Sequence, residues 1–205
     1  MSSRGKKSRV ASWNVNSVRT RQVHILDWLS EHSVDVLALQ ETKVIDDLFP
    51  KEVFDQAGYR VYCFGQKSYN GVAFLAKKDL PLTEVVHNIP GFKDDQARVI
   101  AARLGDLYLV NLYVPNGRSV DSEPYQYKLN WLAALGSWLA ELLVDHKQVV
   151  LMGDFNIAPA DLDVHDPEVW VGSVLVSDAE RRALVLLEGL GFKDVFRQKH
   201  PDQVA

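Results

Sequence analysis

The sequence predicts a layered domain of mixed α/β class, and three observations support this prediction. Short apolar runs rich in β-branched residues recur along the chain, as is typical of buried strands. Amphipathic segments with the spacing of helices are interspersed among these runs. Gly105-Asp106 separates two of the runs in the pattern of a β-hairpin, so the sheets are not purely parallel. Because no repeat or linker interrupts the pattern, we expect one domain over residues 9–205.

The strands are predicted from apolar runs that end at polar or turn-forming residues. The predicted ranges are 9–15, 34–39, 59–64, 71–76, 99–104, 107–113 and 148–152. The third and fourth ranges flank a turn that contains Ser68, Asn70 and Gly71, so they are expected to be neighbours in a sheet.

Three helices are predicted, over residues 20–32, 125–144 and 179–190. The second has an apolar stripe at helical spacing, formed by Leu129, Leu132, Leu135, Leu139 and Leu142. Trp131 and Trp138 lie in the same helix, and we expect them to pack in the core. Ser177 or Asp178 is the expected N-cap of the last helix, which Gly191 ends.

Composition excludes several classes of protein. The chain has 205 residues, a formal charge of -4 and 47% hydrophobic residues, which is too apolar for an intrinsically disordered protein. No apolar run is long enough to span a membrane, and no apolar segment typical of a secretory signal follows the basic start. With Cys63 as the single cysteine, we expect a cytoplasmic protein without disulfides. Residues 1–8 are expected to form a flexible, basic N-terminal tail.

Polar side chains follow four of the predicted strands where each strand ends. They are Asn14 and Asn16, Glu41, Tyr113 and Asn116, and Asp154 and Asn156. Each alone is compatible with ordinary turn or capping chemistry. If the strands end at one edge, however, the oxygen ligands suit Mg²⁺ or Mn²⁺. The sequence has no zinc-type His–Cys pattern, phosphate-binding Gly-rich loop or G-x-S-x-G elbow, which leaves metal-assisted attack of water on a phosphate.

The motifs that contain these residues resemble those of the exonuclease III/AP endonuclease family of DNA repair enzymes. The resemblance is collinear from Arg9 onwards. It rests chiefly on Ser12-Trp13-Asn14-Val15-Asn16, Leu39-Gln40-Glu41-Thr42-Lys43, Asn111-Leu112-Tyr113-Val114-Pro115-Asn116-Gly117 and Gly153-Asp154-Phe155-Asn156-Ile157-Ala158-Pro159.

The resemblance implies a four-layer α/β sandwich, with two packed mixed sheets flanked by helices. It also implies Mg²⁺-dependent cleavage of duplex DNA 5′ of an abasic site, often with 3′→5′ exonuclease and 3′-phosphatase activity. The expected partner is duplex DNA with abasic sites or 3′ ends, and not a membrane.

The same resemblance implies a role for each matching residue. Glu41 corresponds to the metal-binding glutamate, with Asn16 and Asn14 on the metal side of the site. Asp154 corresponds to the carboxylate that activates the attacking water, and Asn156 and Tyr113 correspond to groups that hold the water and the phosphate. Asn116 is implied to position the substrate. Lys67 and Arg98 are candidate contacts to the DNA backbone, although Arg98 could equally form an internal ion pair.

The C-terminal part departs from the family pattern. Family members continue past the equivalent of residues 201–203 into a Trp-rich segment, an Arg-x-Asp strand and a Ser-Asp-His-x-Pro motif with the catalytic histidine. We therefore expect the last strands of one sheet to be lacking. A truncated enzyme, a natural short paralogue and completion by another polypeptide are the three explanations. An open sheet edge favours aggregation, so we expect the isolated chain to be poorly soluble or inactive.

Two alternative functions stay open. One is a catalytically impaired protein of the same fold that binds DNA. The other is a phosphodiesterase of the same superfamily that acts on RNA, lipid or inositol phosphates, against which the Glu41 and Asn116 motifs argue.

Overall fold

Strands of five to seven residues, most of them apolar runs, form two sheets. The computed structural model describes residues 7–204, so most of the predicted N-terminal tail lies outside the described residues. Within the described part, eight strands form two four-stranded sheets. The prediction of a layered α/β class with a mixed sheet arrangement is confirmed.

The first sheet contains β1 (Val10–Asn14), β2 (Val36–Gln40), β3 (Tyr59–Phe64) and β4 (Val72–Lys77), in the order β1-β2-β4-β3. Strands β1 and β2 pair in parallel, whereas β4 is antiparallel to both of its neighbours. All five residues of β2 are buried. This agrees with a strand that has no polar alternation because both of its faces are covered.

The second sheet contains β5 (Thr83–His87), β6 (Val99–Leu104), β7 (Leu107–Tyr113) and β8 (Val149–Asp154), in that order. The predicted turn at Gly105-Asp106 joins β6 and β7 as an antiparallel hairpin. Strands β7 and β8 pair in parallel. Each sheet therefore has one parallel pair, and the residues that follow a parallel pair leave the sheet at the same edge.

The two sheets pack face to face through an apolar core. Side chains from β2 and β4 meet side chains from β6, β7 and β8, with Phe74, Ile100 and Leu109 fully buried among them. The other face of the first sheet is covered by α1 (Val18–His32) and α2 (Lys51–Gln56). The completely buried Ile25 and Phe54 anchor these two helices.

The remaining helices are α3 (Glu123–Asp145), α4 (Pro167–Trp170), α5 (Asp178–Gly189) and α6 (Val195–Lys199). Helix α3 packs against α5. Trp131 and Trp138 are buried on α3, as predicted. Ser177 is the N-cap of α5 and forms a capping box with Glu180.

The chain divides into two compact units. The first contains the described residues up to 88 together with 93–113 and 148–154, and therefore both sheets with α1 and α2. The second contains 89–92, 114–147 and the residues from 155 onwards, and therefore helices α3 to α6. A single domain over residues 9–205 stays a prediction. Among the described helices, none has the length and apolar character needed to cross a membrane.

A buried polar contact joins the two sheets and gives the first testable prediction. Asn111 on β7 is completely buried, and its Nδ2 donates to the carbonyl oxygens of Leu39 and Ala73, both at 3.0 Å. Its Oδ1 accepts from Gln40 Nε2 at 2.7 Å. Replacing Asn111 with Leu removes three hydrogen bonds in a buried position, so we expect the free energy of unfolding to fall by about 1–3 kcal/mol or more.

Urea denaturation measures this change. Asn130→Leu, at an exposed position of α3, is the matched control and should change the free energy of unfolding by less than about 0.5 kcal/mol. Equal effects of the two substitutions would show that the contact between the sheets does not stabilise the fold.

Candidate active site

The parallel pair of the first sheet brings three predicted site residues together. Asn14 lies opposite Gln40 at the ends of β1 and β2, so Glu41 follows directly beside it. Backbone hydrogen bonds continue past the strands, from Val15 to Gln40 at 3.0 Å and from Ser17 to Glu41 at 2.7 Å. Asn16 and Glu41 have positive φ angles of 45° and 54°. Such conformations are costly for residues other than glycine and often occur at functional sites.

In the second sheet, the parallel pair β7 and β8 brings Tyr113 and Asp154 together. These two residues are register partners at the ends of β7 and β8. Both are only partly buried, so their polar groups remain accessible at the edge of the sheet. The condition that the strands end at one edge is met for this pair, because parallel strands present their carboxyl ends at one edge.

Asn14 links the two carboxylates. Its Nδ2 donates to Glu41 Oε1 and to Asp154 Oδ2, with both distances at 2.8 Å. Its Oδ1 accepts the backbone N–H of Asn16 at 3.1 Å. One amide therefore holds a carboxylate from each sheet in place. This geometry favours a bridging role for Asn14 over direct metal ligation.

Lys43 supplies a positive charge next to Glu41. Its Nζ lies 2.8 Å from Glu41 Oε2 and also donates to Asn16 Oδ1. Glu41 and Asn16, two of the predicted metal-side residues, therefore both place an oxygen atom next to the Lys43 ammonium. Lys43 is partly exposed, so the attraction is screened by solvent and its contribution to stability is small.

Glu41 is held in its charged form. Partial burial opposes its ionisation, but hydrogen bonds from Asn14, Lys43 and Tyr113 outweigh burial, and the pKa lies below the ordinary value. For Tyr113 the effects that raise the pKa outweigh the nearby charge of Arg98, which lowers it. Burial, the nearby charge of Glu41 and the hydrogen bond to it raise the pKa of the phenol, so Tyr113 is a protonated donor at neutral pH.

Arg98 lies inside the protein. It is only 8% exposed, and its guanidinium carbon lies 5.1 Å from the centre of the Tyr113 ring. Arg98 also donates to the Tyr113 carbonyl oxygen at 3.1 Å and to Gln96 Oε1 at 2.8 Å. These contacts favour support of Tyr113 over a direct contact to DNA. Lys67, the other predicted contact to the backbone, is exposed in the loop after β3.

Asn116 and Asn156 lie in the second unit and contact each other. Asn116 Nδ2 donates to Asn156 Oδ1 at 3.3 Å, and Asn156 Nδ2 donates to the Val114 carbonyl oxygen at 2.9 Å. Asn156 also has a positive φ of 48°. Asn116 follows Tyr113 by three residues and Asn156 follows Asp154 by two.

Sequence reasoning missed two charged residues beneath this pair, Lys128 and Glu180. Both side chains are completely buried and form an ion pair. The sequence did contain a signal for each residue. Lys128 is a charged residue on the apolar stripe of α3, four residues before Leu132. Glu180 stands three residues after Ser177, in the pattern of a capping box.

The donor chemistry of the first unit fits a divalent cation. The Glu41 carboxylate and the Asn16 amide oxygen are hard oxygen ligands of the kind that Mg²⁺ or Mn²⁺ prefers. Among the described residues no group of three or more His, Cys, Asp or Glu side chains could hold a metal ion. A cation here would therefore use Glu41 with amide oxygen and water, an arrangement typical of Mg²⁺, which keeps several water ligands.

Gly153 fixes the position of Asp154 and gives the second prediction. Its φ is +137°, and a Cβ added there would lie 2.0 Å from the Leu112 carbonyl oxygen. Replacing Gly153 with Ala must push β8 away from β7, so we expect the free energy of unfolding to fall by about 1–3 kcal/mol or more.

Thermal or urea denaturation measures the loss. Gly136→Ala is the control, because Gly136 lies within α3 with its nearest neighbouring atom, Leu187 Cδ2, 3.9 Å away. That variant should gain up to about 1 kcal/mol from helix propensity. A Gly153→Ala protein as stable as the Gly136→Ala protein would refute the steric argument.

Comparison with known proteins gives a consistent result. An exodeoxyribonuclease of Bacillus subtilis is 34% identical over 200 residues, which cover 95% of this chain and 76% of that protein. The solved 3′ phosphatase NExo from Neisseria, bound to a product DNA hairpin, superimposes with a TM-score of 0.93 at 37% identity. An AP endonuclease from Archaeoglobus fulgidus superimposes with a TM-score of 0.91 at 38% identity. Both superpositions cover 96% of this chain and 76% of the other chain.

The predicted fold class is thereby confirmed, since the superimposed structures share the sandwich of two packed sheets and helices. The similar proteins are hydrolytic enzymes that act on DNA, and dependence on a divalent metal is general in their family. The model of the endonuclease/exonuclease/phosphatase family matches residues 11–173, which is most of the chain. The chain therefore belongs to the endonuclease/exonuclease/phosphatase family.

Proposed function

We propose that the protein is a DNA repair nuclease that hydrolyses the phosphodiester bond 5′ to an abasic site in duplex DNA. We include 3′→5′ exonuclease and 3′-phosphatase activity in the proposal. The observation that supports it best is the Asn14 amide, which holds Glu41 and Asp154 together at 2.8 Å each beside a protonated tyrosine. The names of the similar proteins, an exodeoxyribonuclease, a 3′ phosphatase and an AP endonuclease, support the same substrate class.

Asp154 is the proposed general base. Phosphodiester hydrolysis needs a carboxylate that accepts a proton from the attacking water. The hydrogen bond from Asn14 Nδ2 to Asp154 Oδ2 fixes the direction of the Asp154 carboxylate. Bound at Glu41 with Asn16 nearby, Mg²⁺ or Mn²⁺ would supply Lewis acidity and charge neutralisation for the phosphoryl oxygens.

Tyr113 is the proposed donor to the phosphate. Its raised pKa keeps the proton on the phenol, so it adds a hydrogen bond without adding negative charge near the developing charge of the transition state. Arg98 supports Tyr113 from within the protein, through its contact with the ring and its hydrogen bond to the backbone. We propose this supporting role for Arg98 in place of a direct contact to DNA.

Asn116 and Asn156 are proposed to bind the phosphate and the attacking water. Both carry neutral amide donors, which suit a phosphate whose charge increases during the reaction. Their mutual hydrogen bond fixes their relative orientation. Lys67, exposed on its loop, is the proposed contact to the DNA backbone.

Incision of a labelled duplex that carries one stable abasic analogue tests the proposal. We expect nicking on the 5′ side of the analogue with Mg²⁺ and none with EDTA, whereas no nicking under either condition would support the inactive chain expected from an open sheet edge. An undamaged duplex, a recessed 3′ end and an inositol phosphate are compared in parallel. Abasic DNA that is bound but never cut would contradict the proposal in favour of a DNA-binding role, and preferential hydrolysis of the inositol phosphate would contradict its substrate class.

A further inference from the structure

We infer that the buried pair Lys128–Glu180 positions Asn116 and Asn156. The inference rests on the proposed function, which assigns these two asparagines to the phosphate and the water. Lys128 and Glu180 would act only through the backbone of the second unit. They are therefore positioning residues and not catalytic ones.

The Lys128 ammonium binds backbone carbonyl groups from two separate segments of the chain. Its Nζ donates to the backbone carbonyl oxygen of Asn116 at 3.2 Å and to that of Asn156 at 2.6 Å. The third acceptor is Glu180 Oε1. An ammonium has three donors, and these acceptors match that number. The asparagines are 40 residues apart in sequence, yet their carbonyl groups lie on the same nitrogen.

The chain after Asn116 packs directly on the lysine. Gly117 has a φ of +92°, and a Cβ added there would lie 3.2 Å from Lys128 Cδ and 3.4 Å from Tyr125 Cδ2. The absence of a side chain at residue 117 thus allows the backbone to approach α3. This approach places the Asn116 carbonyl within reach of Nζ.

Glu180 fixes the lysine from the opposite side. Its Oε1 accepts the backbone N–H of Leu175 at 3.0 Å, and its Oε2 accepts the backbone N–H and hydroxyl of Ser177 at 3.2 and 2.6 Å. The Ser177 hydroxyl also contacts the Tyr125 hydroxyl at 2.6 Å. Because the side chains of Glu180, Ser177 and Tyr125 are buried, the network leaves the ammonium little room to move.

A buried ion pair is weak evidence for a contribution to stability. Desolvation of both charges offsets most of their attraction, and well-packed apolar residues often serve equally well. An apolar residue at 128 could fill the space but could not hold two carbonyl oxygens together. The network is therefore better explained by its effect on the two asparagines than by its effect on the free energy of unfolding.

Lys128→Met tests the inference, because methionine has a similar shape but no donors. We expect kcat for abasic incision to fall by about 10–100-fold with little change in KM, at a temperature where the variant is fully folded. Lys147→Met is the matched control, since Lys147 also donates to two backbone carbonyls, those of Leu143 and Val144, but at the exposed end of α3. Its kcat should match that of the unaltered protein.

A double-mutant comparison separates positioning from a general loss of structure. In an Asn116→Ala/Asn156→Ala background the groups that Lys128 positions are absent, so adding Lys128→Met should change kcat by less than about twofold. An equally large decrease in both backgrounds would overturn the inference. Lys128→Met/Glu180→Gln, which leaves no unpaired buried charge, is the variant to use if the single substitution does not fold.

A readout that does not depend on activity keeps the inference separate from the proposed function. In ¹H–¹⁵N spectra we expect the side-chain amide signals of Asn116 and Asn156 to shift or broaden in the Lys128 variants, while that of Asn14 stays in place. Unchanged Asn116 and Asn156 signals would overturn the inference. Changed signals in a protein that cuts no abasic DNA would support positioning and contradict the nuclease proposal alone.

Discussion

Replacing Asp154 with Asn is expected to slow the incision of abasic duplex DNA by about 10²–10⁴-fold, the range that general base catalysis usually contributes. The substitution keeps the shape of the side chain but removes the carboxylate that we propose as the acceptor of the proton from the attacking water. It also changes the hydrogen bond with Asn14, whose Nδ2 now donates to Asp154 Oδ2 at 2.8 Å. Single-turnover kinetics with saturating Mg²⁺ measure the chemical step directly.

Binding provides the control for this prediction. Asp154→Asn removes one negative charge from a site for an anionic substrate, so the affinity for abasic duplex should stay the same or increase. Tight binding combined with slow cutting would assign Asp154 to chemistry. A variant that cuts within about twofold of the original rate would exclude Asp154 as the base.

Replacing Glu41 with Gln is expected to raise the Mg²⁺ concentration that gives half-maximal activity by about 100-fold or more. Loss of even an outer-shell partner typically costs a metal site 10–100-fold in affinity, and Glu41 is the proposed charged ligand. The substitution also removes the negative charge that pairs with Lys43 Nζ at 2.8 Å. The hydrogen bonds that lower the pKa of Glu41 keep it charged, and therefore able to bind a cation, at neutral pH.

Mn²⁺ binding followed by electron paramagnetic resonance measures the same site without an assay of activity. Glu84→Gln is the matched control, because Glu84 is paired with Arg103 at 3.0 Å on β5 and its loss also breaks one ion pair. Unchanged Mn²⁺ affinity in the Glu41 variant, or an equal decrease in both variants, would rule out Glu41 as the metal ligand.

Much of the fold could be predicted from hydrophobic pattern. Strands β3, β6 and β7 have the predicted bounds, and the long helix α3 extends one to two residues beyond its prediction at each end. These elements bury continuous apolar runs or a regular stripe, which is the strongest signal in a sequence. Strand β5 was missed because four of its five residues are exposed and its register with β6 is irregular. Helix α2 was missed because six residues with one buried side chain show no period.

The candidate site was predictable in composition but not in its internal contacts. Polar residues directly after apolar strands identified Glu41 and Asp154, since packing alone does not favour carboxylates there. No pattern indicated that Asn14 would join them, because a hydrogen bond between residues 140 positions apart depends on how the two sheets meet. The same holds for Arg98, for which the sequence left a contact to DNA and an internal ion pair equally open, and whose burial beside the Tyr113 ring no local pattern indicated.

The sequence by itself determined the α/β class, the polar residues at the ends of the strands, and the family to which the chain belongs. These properties depend on local patterns and short motifs, which a linear chain displays directly. Only the tertiary structure showed that the Asn14 amide donates to both Glu41 and Asp154. It alone also showed that Lys128 binds the backbone of two asparagines from distant segments. The reason is physical: burial and hydrogen-bond geometry arise when segments remote in sequence pack together, and the sequence encodes their packing only through the whole fold.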